Sequence, residues 1–386
     1  MRALTPLTEE QRAIQTVARE FAAEYIAPFS AQWDRDQYFE PAIVPKLGKL
    51  GFLGMMIPEK YDGLGLDTLT YLVALEEIAI VDASVAVMLS VHNSLPTQML
   101  LRWGTEEQKE RFLKPMARGE MLGAFALSEP EAGSDAASLR TQAVRDGDHW
   151  VLNGTKAWVS SGTKGDVFLA MARTDSPDDR KGARGISTFI VTPDLPGFSV
   201  GKKEDKMGLR ASPTVQLRFE DLRVPADRLL GEPGNGFIYA MQSLDNGRLG
   251  IASQAIGIAE AALRHSIAYA GERKQFGKPI KEFQAIQFKL ADMAARISAA
   301  RALLHMSAVA KDRGESITQF GSMAKLLASE TAMWVTTQAV QIFGGYGYVK
   351  EYPVERLFRD AKVTEIYEGT SEVQRIVIAR ELYSHT

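Results

Sequence analysis

The sequence predicts a mainly α-helical protein with a β domain in its middle. Apolar residues recur at helical spacing up to about residue 118, fall in short runs between turns from 121 to about 225, and return to helical spacing from Gly236 onward. Helical segments on either side of a strand-rich segment indicate helical and β layers that fold separately. We therefore expect an N-terminal helical domain over 1–120, a small β-barrel or sandwich domain over 121–230, and a C-terminal four-helix bundle domain over 231–386.

The N-terminal segment carries clear helix signals. Thr8 and Gln11 have the spacing of a capping box and precede apolar residues at helical spacing. The stretch 68–103 is apolar with a helical period, and Asp82 and Pro96 are expected to interrupt it. This part of the chain should therefore fold as a set of packed helices.

The middle segment carries strand signals. The Asp146-Gly147-Asp148 sequence between two apolar runs predicts a β-hairpin. Short runs rich in β-branched residues predict three further strands, VFLAMAR (167–173), ISTFIV (186–191) and TVQLRF (214–219). A polar loop is expected over 176–184.

One apolar stripe predicts a long helix of the C-terminal bundle. Its members step alternately by three and four positions, which is the pattern of a helix in a near-antiparallel bundle. The stripe consists of Phe283, Ile286, Leu290, Met293, Ile297, Ala300 and Leu304. Segments 237–270 and 318–342, with a final helix that begins in a Ser371–Gln374 capping box, complete four helices.

Composition excludes several classes of chemistry. A formal net charge of −3 gives no basic surface for nucleic acid. The absence of cysteine excludes thiol nucleophiles, disulfides and cysteine-held metal clusters, and the five histidines show no metal-ligand spacing. No apolar run reaches membrane-spanning length, and the first residues have neither signal-peptide nor transit-peptide character. We expect a cytoplasmic protein with no metal, no nucleic acid partner and no membrane insertion.

Two Gly-rich stretches are candidates for contact with a nucleotide. Since the chain has no G-x-G-x-x-G sequence, a Rossmann-type dinucleotide site is not expected. The stretch 58–67 lacks the third glycine. For 344–352 two interpretations stay open: a helix C-cap with a turn, or a close approach of backbone N–H groups to a phosphate.

Glu368 is a candidate general base. It lies just before the predicted helix start at Ser371, where the helix dipole should lower its pKa, while Ile366 and Tyr367 should desolvate it and raise its pKa. A base that is ionised at neutral pH yet removes a weakly acidic proton needs such a balance. The alternative is a carboxylate that only complements the helix dipole.

Three further stretches carry polar and aromatic residues at predicted junctions. FALSEPEAGSD (125–135) lies where helix gives way to strand, LNGTKAWVSSG (152–162) lies on a hairpin, and ERKQFGKPI (272–280) lies between bundle helices. A Trp in a strand usually lies in the core. A basic loop is usually solvated, although Arg273 is suited to bidentate contact with phosphate.

Six motifs in order resemble the acyl-CoA dehydrogenase family over nearly the whole chain. They are LSEPEAGSD, KAWVSSG, LDNGRLGIASQAIG, ERKQFGKPI, QIFGGYGY and YEGTSEVQR. The similarity is greatest to the short-chain (butyryl) members, through LDNGRLGIASQAIG and the SVHNSL segment at 90–95. In this family the Glu of the last motif, here Glu368, is the catalytic base.

The resemblance implies an FAD held between the β domain and the bundle. Trp158 would lie against the isoalloxazine and Ser160 would bond near N5; the family usually has Thr at 160 and Asn at 161. The implied cofactor residues on the β side are Phe125, Leu127, Ser128, Ser134, Trp158 and Ser160. Arg273, Phe276 and Gln284, joined by Gln341, Gly344 and Gly345, would reach the flavin of a neighbouring subunit, and Thr370 and Glu372 would complete the contacts. Such sharing implies an oligomer, typically a homotetramer built as a dimer of dimers.

The resemblance also implies the substrate and the reaction. Acyl-CoA contacts fall on Ser134, Asp245, Arg248, Tyr367 and Gly369. Glu368 would remove the α-proton of a short-chain acyl-CoA, its backbone N–H and a flavin ribityl hydroxyl would stabilise the carbonyl oxygen, and the β-hydride would pass to the flavin. The product would be a trans-2-enoyl-CoA, with an electron-transfer flavoprotein as electron acceptor.

Other functions remain open on the sequence. A branched short-chain acyl-CoA dehydrogenase or an acyl-CoA oxidase would share these motifs. A flavin-free helical scaffold is an alternative of a different class, and a colourless protein that cannot be reconstituted with FAD would favour it. Isovaleryl members carry the base on the helix near residue 245, where this chain has Gly247.

Overall fold

The computed structural model describes residues 5–175 and 182–384, and its first part is helical as predicted. The capping box at the first helix is confirmed, because Thr8 Oγ1 accepts a hydrogen bond from Gln11 N at 3.1 Å and Gln11 Oε1 accepts one from Thr8 N at 3.0 Å. The helices of this part are α1 (Glu9–Phe21), α2 (Ser30–Asp36), α3 (Ile43–Lys49), α4 (Thr68–Val81), α5 (Ala83–Ser94), α6 (Pro96–Trp103), α7 (Glu106–Gln108) and α8 (Lys114–Ala117).

The predicted interruptions of the 68–103 stretch are confirmed. Asp82 has an extended backbone and caps α5, because its Oδ1 accepts hydrogen bonds from Ser84 N at 2.8 Å and Val85 N at 3.0 Å. Pro96 occupies the first turn of α6, where its missing N–H costs nothing. Helices α4 and α5 are buried on nearly all sides because α9, described below, packs against both.

The middle of the chain forms a β-sheet domain. Its strands are β1 (Gly123–Ala126), β2 (Gln142–Asp146), β3 (His149–Ser160), β4 (Val167–Arg173), β5 (Ile186–Val191), β6 (Phe198–Lys203), β7 (Thr214–Pro225) and β8 (Leu229–Leu230). They pair in the order β6-β7-β3-β2-β4-β5-β8, with β1 parallel to β4. The predicted hairpin joins β2 to β3, and the three predicted strands are β4, β5 and the first half of β7. Of the predicted loop 176–184, residues 176–181 lie outside the described residues.

The C-terminal part is the predicted helical bundle. It contains α9 (Gly236–Glu272), the two-residue strands β9 (Lys274–Gln275) and β10 (Lys278–Pro279), and then α10 (Gln284–Asp312), α11 (Thr318–Phe343), α12 (Val354–Lys362) and α13 (Ser371–Ser384). Helix α11 packs against α9, α10 and α13. The stripe on α10 is apolar toward the bundle, with Met293, Ile297, Ala300 and Leu304 buried. In the described residues no helix has the length and apolar character needed to cross a membrane.

The predicted capping box at Ser371 is wrong by one residue. Thr370 is the cap, since its Oγ1 accepts a hydrogen bond from Val373 N at 3.3 Å, while the Ser371 side chain is buried within the helix start. Gln374 does not reach back to a capping residue. Its Nε2 instead donates to the carbonyl oxygens of Glu368 at 3.2 Å and Gly369 at 2.9 Å, two acceptors that lie outside any helix.

Candidate functional site

Glu368 lies in a tight turn that connects α12 to α13. It has a φ of +51°, and the next residue, Gly369, has a φ of +91°. A left-handed backbone is uncommon for a residue with a long side chain, so packing around the turn must impose it. Both Glu368 carboxylate oxygens are buried and have no hydrogen-bond partner in the described residues.

The electrostatics of Glu368 differ in part from the sequence-based expectation. Burial raises the pKa of its carboxyl group to about 7, and the positive charges of Lys325 and Arg248 oppose this rise. Of the two residues expected to desolvate it, Ile366 is 52% exposed and Tyr367 is half-buried. The opposing charge comes from α9 and α11 side chains, and the carboxylate accepts no hydrogen bond from the N-terminus of α13.

Gly247 on α9 provides the space that the Glu368 carboxylate occupies. A Cβ atom at position 247 would lie 2.0 Å from Glu368 Oε2 and 3.3 Å from Leu95 Cδ2. A side chain here would force the end of the Glu368 side chain to move, so glycine leaves the carboxylate in the position it occupies. Positions 247 and 368, at which different family members are expected to carry the base, are thus adjacent in space.

Asp245 and Arg248 form an ion pair one turn apart on α9. Arg248 Nη1 donates to Asp245 Oδ1 at 2.5 Å and to Ser322 Oγ at 3.1 Å, and Asp245 Oδ2 accepts from Thr318 Oγ1 at 2.9 Å. These bonds tie α9 to α11 beside Glu368. Arg248 retains a buried Nε without a partner in the described residues.

Tyr367 is held on the opposite side of the turn. Its hydroxyl donates to Gln254 Oε1, and Gln254 Nε2 donates to the carbonyl oxygen of Ala83 at 2.7 Å. Gly369 contributes its carbonyl oxygen, which accepts from Lys325 Nζ at 2.7 Å. The predicted residues Asp245, Arg248, Tyr367, Glu368 and Gly369 are therefore brought together at one place between α9, α11 and α13.

Four polar residues of this region were not identified from the sequence. Gln254 and Lys325 contact the turn, and Tyr71 and Ser90 lie side by side against Gly250 with buried hydroxyl groups. The sequence could have predicted that Lys325 is buried, because it lies on the same helical face of α11 as the small residues Gly321, Ala324 and Ala328. Tyr71 and Ser90 lie in helices that are buried all round, so no pattern marks them.

Trp158 departs from the usual place of a strand tryptophan. It is 62% exposed, with a φ of +61°, at a bulge where the register between β3 and β7 shifts after Lys156. Ala157 N donates to the carbonyl oxygen of Ser128 at 2.9 Å, so the two predicted flavin-border stretches are adjacent. Of the other predicted border residues, Leu127 is buried, Phe125, Ser128 and Ser160 are half-buried, and Ser134 is exposed.

Two departures from the usual motifs have different surroundings: Ser161 stands where the family usually has Asn, and Glu131 of LSEPEAGSD stands where it commonly has Gly. Ser161 is buried, has a φ of +62°, and its Oγ has no partner in the described residues. Asn tolerates a left-handed backbone better than Ser, which explains why Asn is usual at this position. Glu131 is on the surface and pairs with Arg140 at 2.7 Å.

Arg273 lies in a cleft at the end of α9. The cleft has a volume of about 820 Å³, and Gly344 and Gly345 line it together with Tyr346. Arg273 stacks over the Tyr346 ring at 5.3 Å from its centroid. Gly344 is the C-cap of α11 with a φ of +61°, as one interpretation predicted. Among the described residues, chain neighbours aside, no atom lies within 4 Å of a Cβ at 344 or 345.

The remaining predicted cofactor residues lie on the surface. Phe276 is 93% exposed in the hairpin that follows Arg273, and Gln284 and Gln341 are exposed on α10 and α11. Thr370 is half-buried as the cap of α13, and Glu372 is exposed in its first turn. None of the β-domain border residues lines the Arg273 cleft.

Comparison with known proteins covers all three regions. The family models for the acyl-CoA dehydrogenase N-terminal, middle and C-terminal domains match residues 8–120, 124–222 and 234–383. The chain is 50% identical over 376 residues to the mitochondrial short-chain specific acyl-CoA dehydrogenase of Bos taurus, covering 97% of this chain and 90% of the relative.

Solved structures agree with the sequence comparison. Butyryl-CoA dehydrogenase from Megasphaera elsdenii superposes with a TM-score of 0.96 at 46% identity, over 98% of this chain and 99% of that one. A structure described as the electron transferring flavoprotein of Acidaminococcus fermentans contains a chain with a TM-score of 0.96 and 47% identity, over 98% of both chains. The protein therefore belongs to the acyl-CoA dehydrogenase family.

Proposed function

We propose that this protein oxidises a short-chain acyl-CoA to the trans-2-enoyl-CoA and passes the electrons to an electron-transfer flavoprotein. The observation that carries the proposal is the Glu368 carboxylate, which is buried, lacks a hydrogen-bond partner in the described residues and has a pKa raised to about 7. Such a group is ionised in a substantial fraction of molecules at neutral pH and is basic enough to act as a general base.

In this proposal the protein's own residues handle the proton. Glu368 takes the α-proton of the thioester, and its backbone N–H donates to the thioester carbonyl oxygen as negative charge develops there. When bound, FAD supplies the acceptor for the β-hydrogen, which leaves with its electron pair. Asp245 and Arg248 hold α9 against α11 beside the base, while Tyr367 and Gly369 shape the turn and the exposed Ser134 is available to the CoA portion.

The described residues fit an FAD. Trp158 is an exposed aromatic ring next to Ser128 and Ser160, and Arg273 offers a cation beside two glycines whose missing side chains leave room for a phosphate. We assign the flavin to a site shared between subunits of a homotetramer. Its residues are Phe125, Leu127, Ser128, Ser134, Trp158, Ser160, Thr370 and Glu372 of one subunit and Arg273, Phe276, Gln284, Gln341, Gly344 and Gly345 of another.

Short straight acyl chains are the proposed substrates. The support is the similarity to the short-chain dehydrogenase of Bos taurus and the butyryl-CoA dehydrogenase of Megasphaera elsdenii. In anaerobic titrations of the purified yellow protein with a panel of acyl-CoAs, butyryl-CoA should bleach the flavin fastest. Faster bleaching by a medium, long or branched acyl-CoA would contradict the assignment, and rapid reoxidation of the reduced protein by air would favour an oxidase.

The shared cofactor site makes a prediction about Arg273. Arg273→Ala should reduce both FAD retention and the fraction of tetramer, because the side chain lies beside the glycines proposed to face a phosphate of the neighbouring subunit's cofactor. The measurement is the flavin-to-protein ratio across a sizing column with light scattering. Lys274→Ala removes an exposed cation one residue away and is the control. A monomeric Arg273→Ala protein with full flavin content would contradict the prediction.

The domain boundaries and the cellular compartment are also proposals. We place the boundaries between domains after residues 120 and 230, supported by the change from helix to strand at β1 and from strand to helix at α9. We propose that the protein works in the cytoplasm, and cell fractionation of the organism that produces it tests this. The similarity to bacterial relatives, from Bacillus subtilis and Clostridium acetobutylicum, favours that compartment.

A further inference from the structure

Lys325 is a buried cation next to the catalytic turn. Its side chain is 0% exposed in the third turn of α11, and its Nζ donates one hydrogen bond in the described residues, to the carbonyl oxygen of Gly369 at 2.7 Å. The buried hydroxyl groups on either side of it along α11 are engaged elsewhere, because Ser322 Oγ donates to the carbonyl oxygen of Thr318 and Ser329 Oγ donates to that of Leu326. A buried ammonium with a single carbonyl partner is costly, so another interaction must favour it.

The Glu368 carboxylate accepts no hydrogen bond from Lys325 in the described residues, yet the charges of the two groups act on each other. The attraction of Lys325 is the largest of the charge effects that oppose desolvation of Glu368, and Glu368 in turn is the largest that favours charged Lys325. Arg248 also acts on Glu368, but its charge is already compensated by Asp245 at 2.5 Å. The attraction between the charges of Lys325 and Glu368 is therefore the largest charge effect that either group experiences.

We propose that Lys325 is a positioning residue for the base: it anchors the Glu368–Gly369 turn through the Gly369 carbonyl and its charge favours the ionised form of Glu368. This inference rests on the role proposed above for Glu368. Desolvation lowers the pKa of Lys325 to about 8, so the cation is still mostly present at pH 7, where Glu368 must work. The other titratable or charged groups that act on these two residues are Arg248, Glu365, Glu372, Tyr71 and Tyr367.

The chain provides a matched neutral contact for comparison. Gln374 Nε2 donates to the same Gly369 carbonyl oxygen at 2.9 Å and to the Glu368 carbonyl oxygen at 3.2 Å. Removing the Gln374 amide loosens the turn without removing a charge. Removing the Lys325 ammonium does both, so the difference between the two variants isolates the effect of charge.

The test is the pH dependence of anaerobic flavin reduction by butyryl-CoA in the holoenzyme. In Lys325→Met the midpoint should move up by about one unit from about 7, which is a loss of about fivefold at pH 7 that is recovered at high pH. Gln374→Met should be slower at every pH with an unshifted midpoint. Lys325→Gln, which keeps a donor for Gly369 but no charge, should shift the midpoint as Lys325→Met does, and serves if the Met variant does not fold.

A second readout does not depend on turnover. Infrared titration should identify the Glu368 carboxyl band by its absence in Glu368→Gln, and that band should titrate at higher pH in Lys325→Gln than in the unmodified protein. An unshifted band and an unshifted rate profile would overturn the inference, as would an equal shift in Gln374→Met. If Glu368→Gln reduces flavin normally, the proposed base is wrong, yet the band still reports whether Lys325 sets its ionisation.

Discussion

Glu368→Gln is expected to slow flavin reduction by butyryl-CoA by at least about 10²-fold, the low end for loss of a positioned general base. The substitution keeps the size of the side chain, so it should fit the space against Gly247. It removes the only acid at either of the two base positions. The variant should fold, retain FAD and still bind acyl-CoA, with the loss confined to the rate of reduction in anaerobic stopped-flow.

A nearby carboxylate provides the control for this experiment. Glu365 lies three residues earlier, pairs with Lys362 at 2.6 Å and acts on Lys325 more weakly than Glu368 does, so Glu365→Gln should reduce flavin at a rate close to that of the unmodified protein. Near-normal reduction in Glu368→Gln would reject the assignment and point to Asp245 or Glu372. Equal loss in both variants would indicate a general disturbance of the turn.

The raised pKa of Glu368 gives this prediction a pH dependence. Because the carboxylate must be ionised to accept a proton, reduction should accelerate as pH rises through about 7 and then level off. The free energy of unfolding depends on pH in the opposite direction, so it falls as the reduction rate rises. A carboxyl group whose folded pKa lies above its unfolded value contributes stability at low pH that is lost as pH rises through the folded pKa. Between about pH 4.5 and pH 7, the melting temperature of Glu368→Gln should therefore rise relative to that of the unmodified protein.

The elements that were predictable from sequence are those fixed by local chemistry. The capping box at Thr8 and the stripe on α10 involve residues a turn apart, and each was found where the pattern placed it. The cap at Ser371 shows the limit of such reasoning. Thr and Ser are both residue types that can cap a helix. Which of Thr370 and Ser371 caps α13 depends on the left-handed turn before them, and no local sequence pattern predicts that turn.

The environment of the candidate base was less predictable because distant segments create it. Gly247 and Lys325 come from α9 and α11, far from Glu368 in sequence, and together they decide how the carboxylate is buried and which charge it meets. The exposure of Trp158 likewise depends on a bulge between β3 and β7, whereas strand patterns alone would place a tryptophan in the core. The identities of the site residues came from family resemblance, and their physical setting came from the structure.

Moving the base to α9 should restore part of the lost activity. Since a Cβ at position 247 would lie 2.0 Å from Glu368 Oε2, a side chain at 247 and one at 368 compete for the same space. Glu368→Gln is therefore a poor background for Gly247→Glu, because the amide still fills that space. Glu368→Gly removes the obstruction and suits the left-handed φ of +51°.

We expect Glu368→Gly alone to lose at least about 10²-fold in flavin reduction, and Glu368→Gly with Gly247→Glu to recover at least about tenfold of it. Gly247→Ala in the otherwise unmodified protein should also be slow, because its methyl group displaces the carboxylate. Stopped-flow reduction with butyryl-CoA and isovaleryl-CoA measures all three. A folded, FAD-bound double variant no faster than Glu368→Gly would show that a carboxylate on α9 cannot reach the substrate α-carbon. The adjacency of positions 247 and 368 would then reflect packing alone.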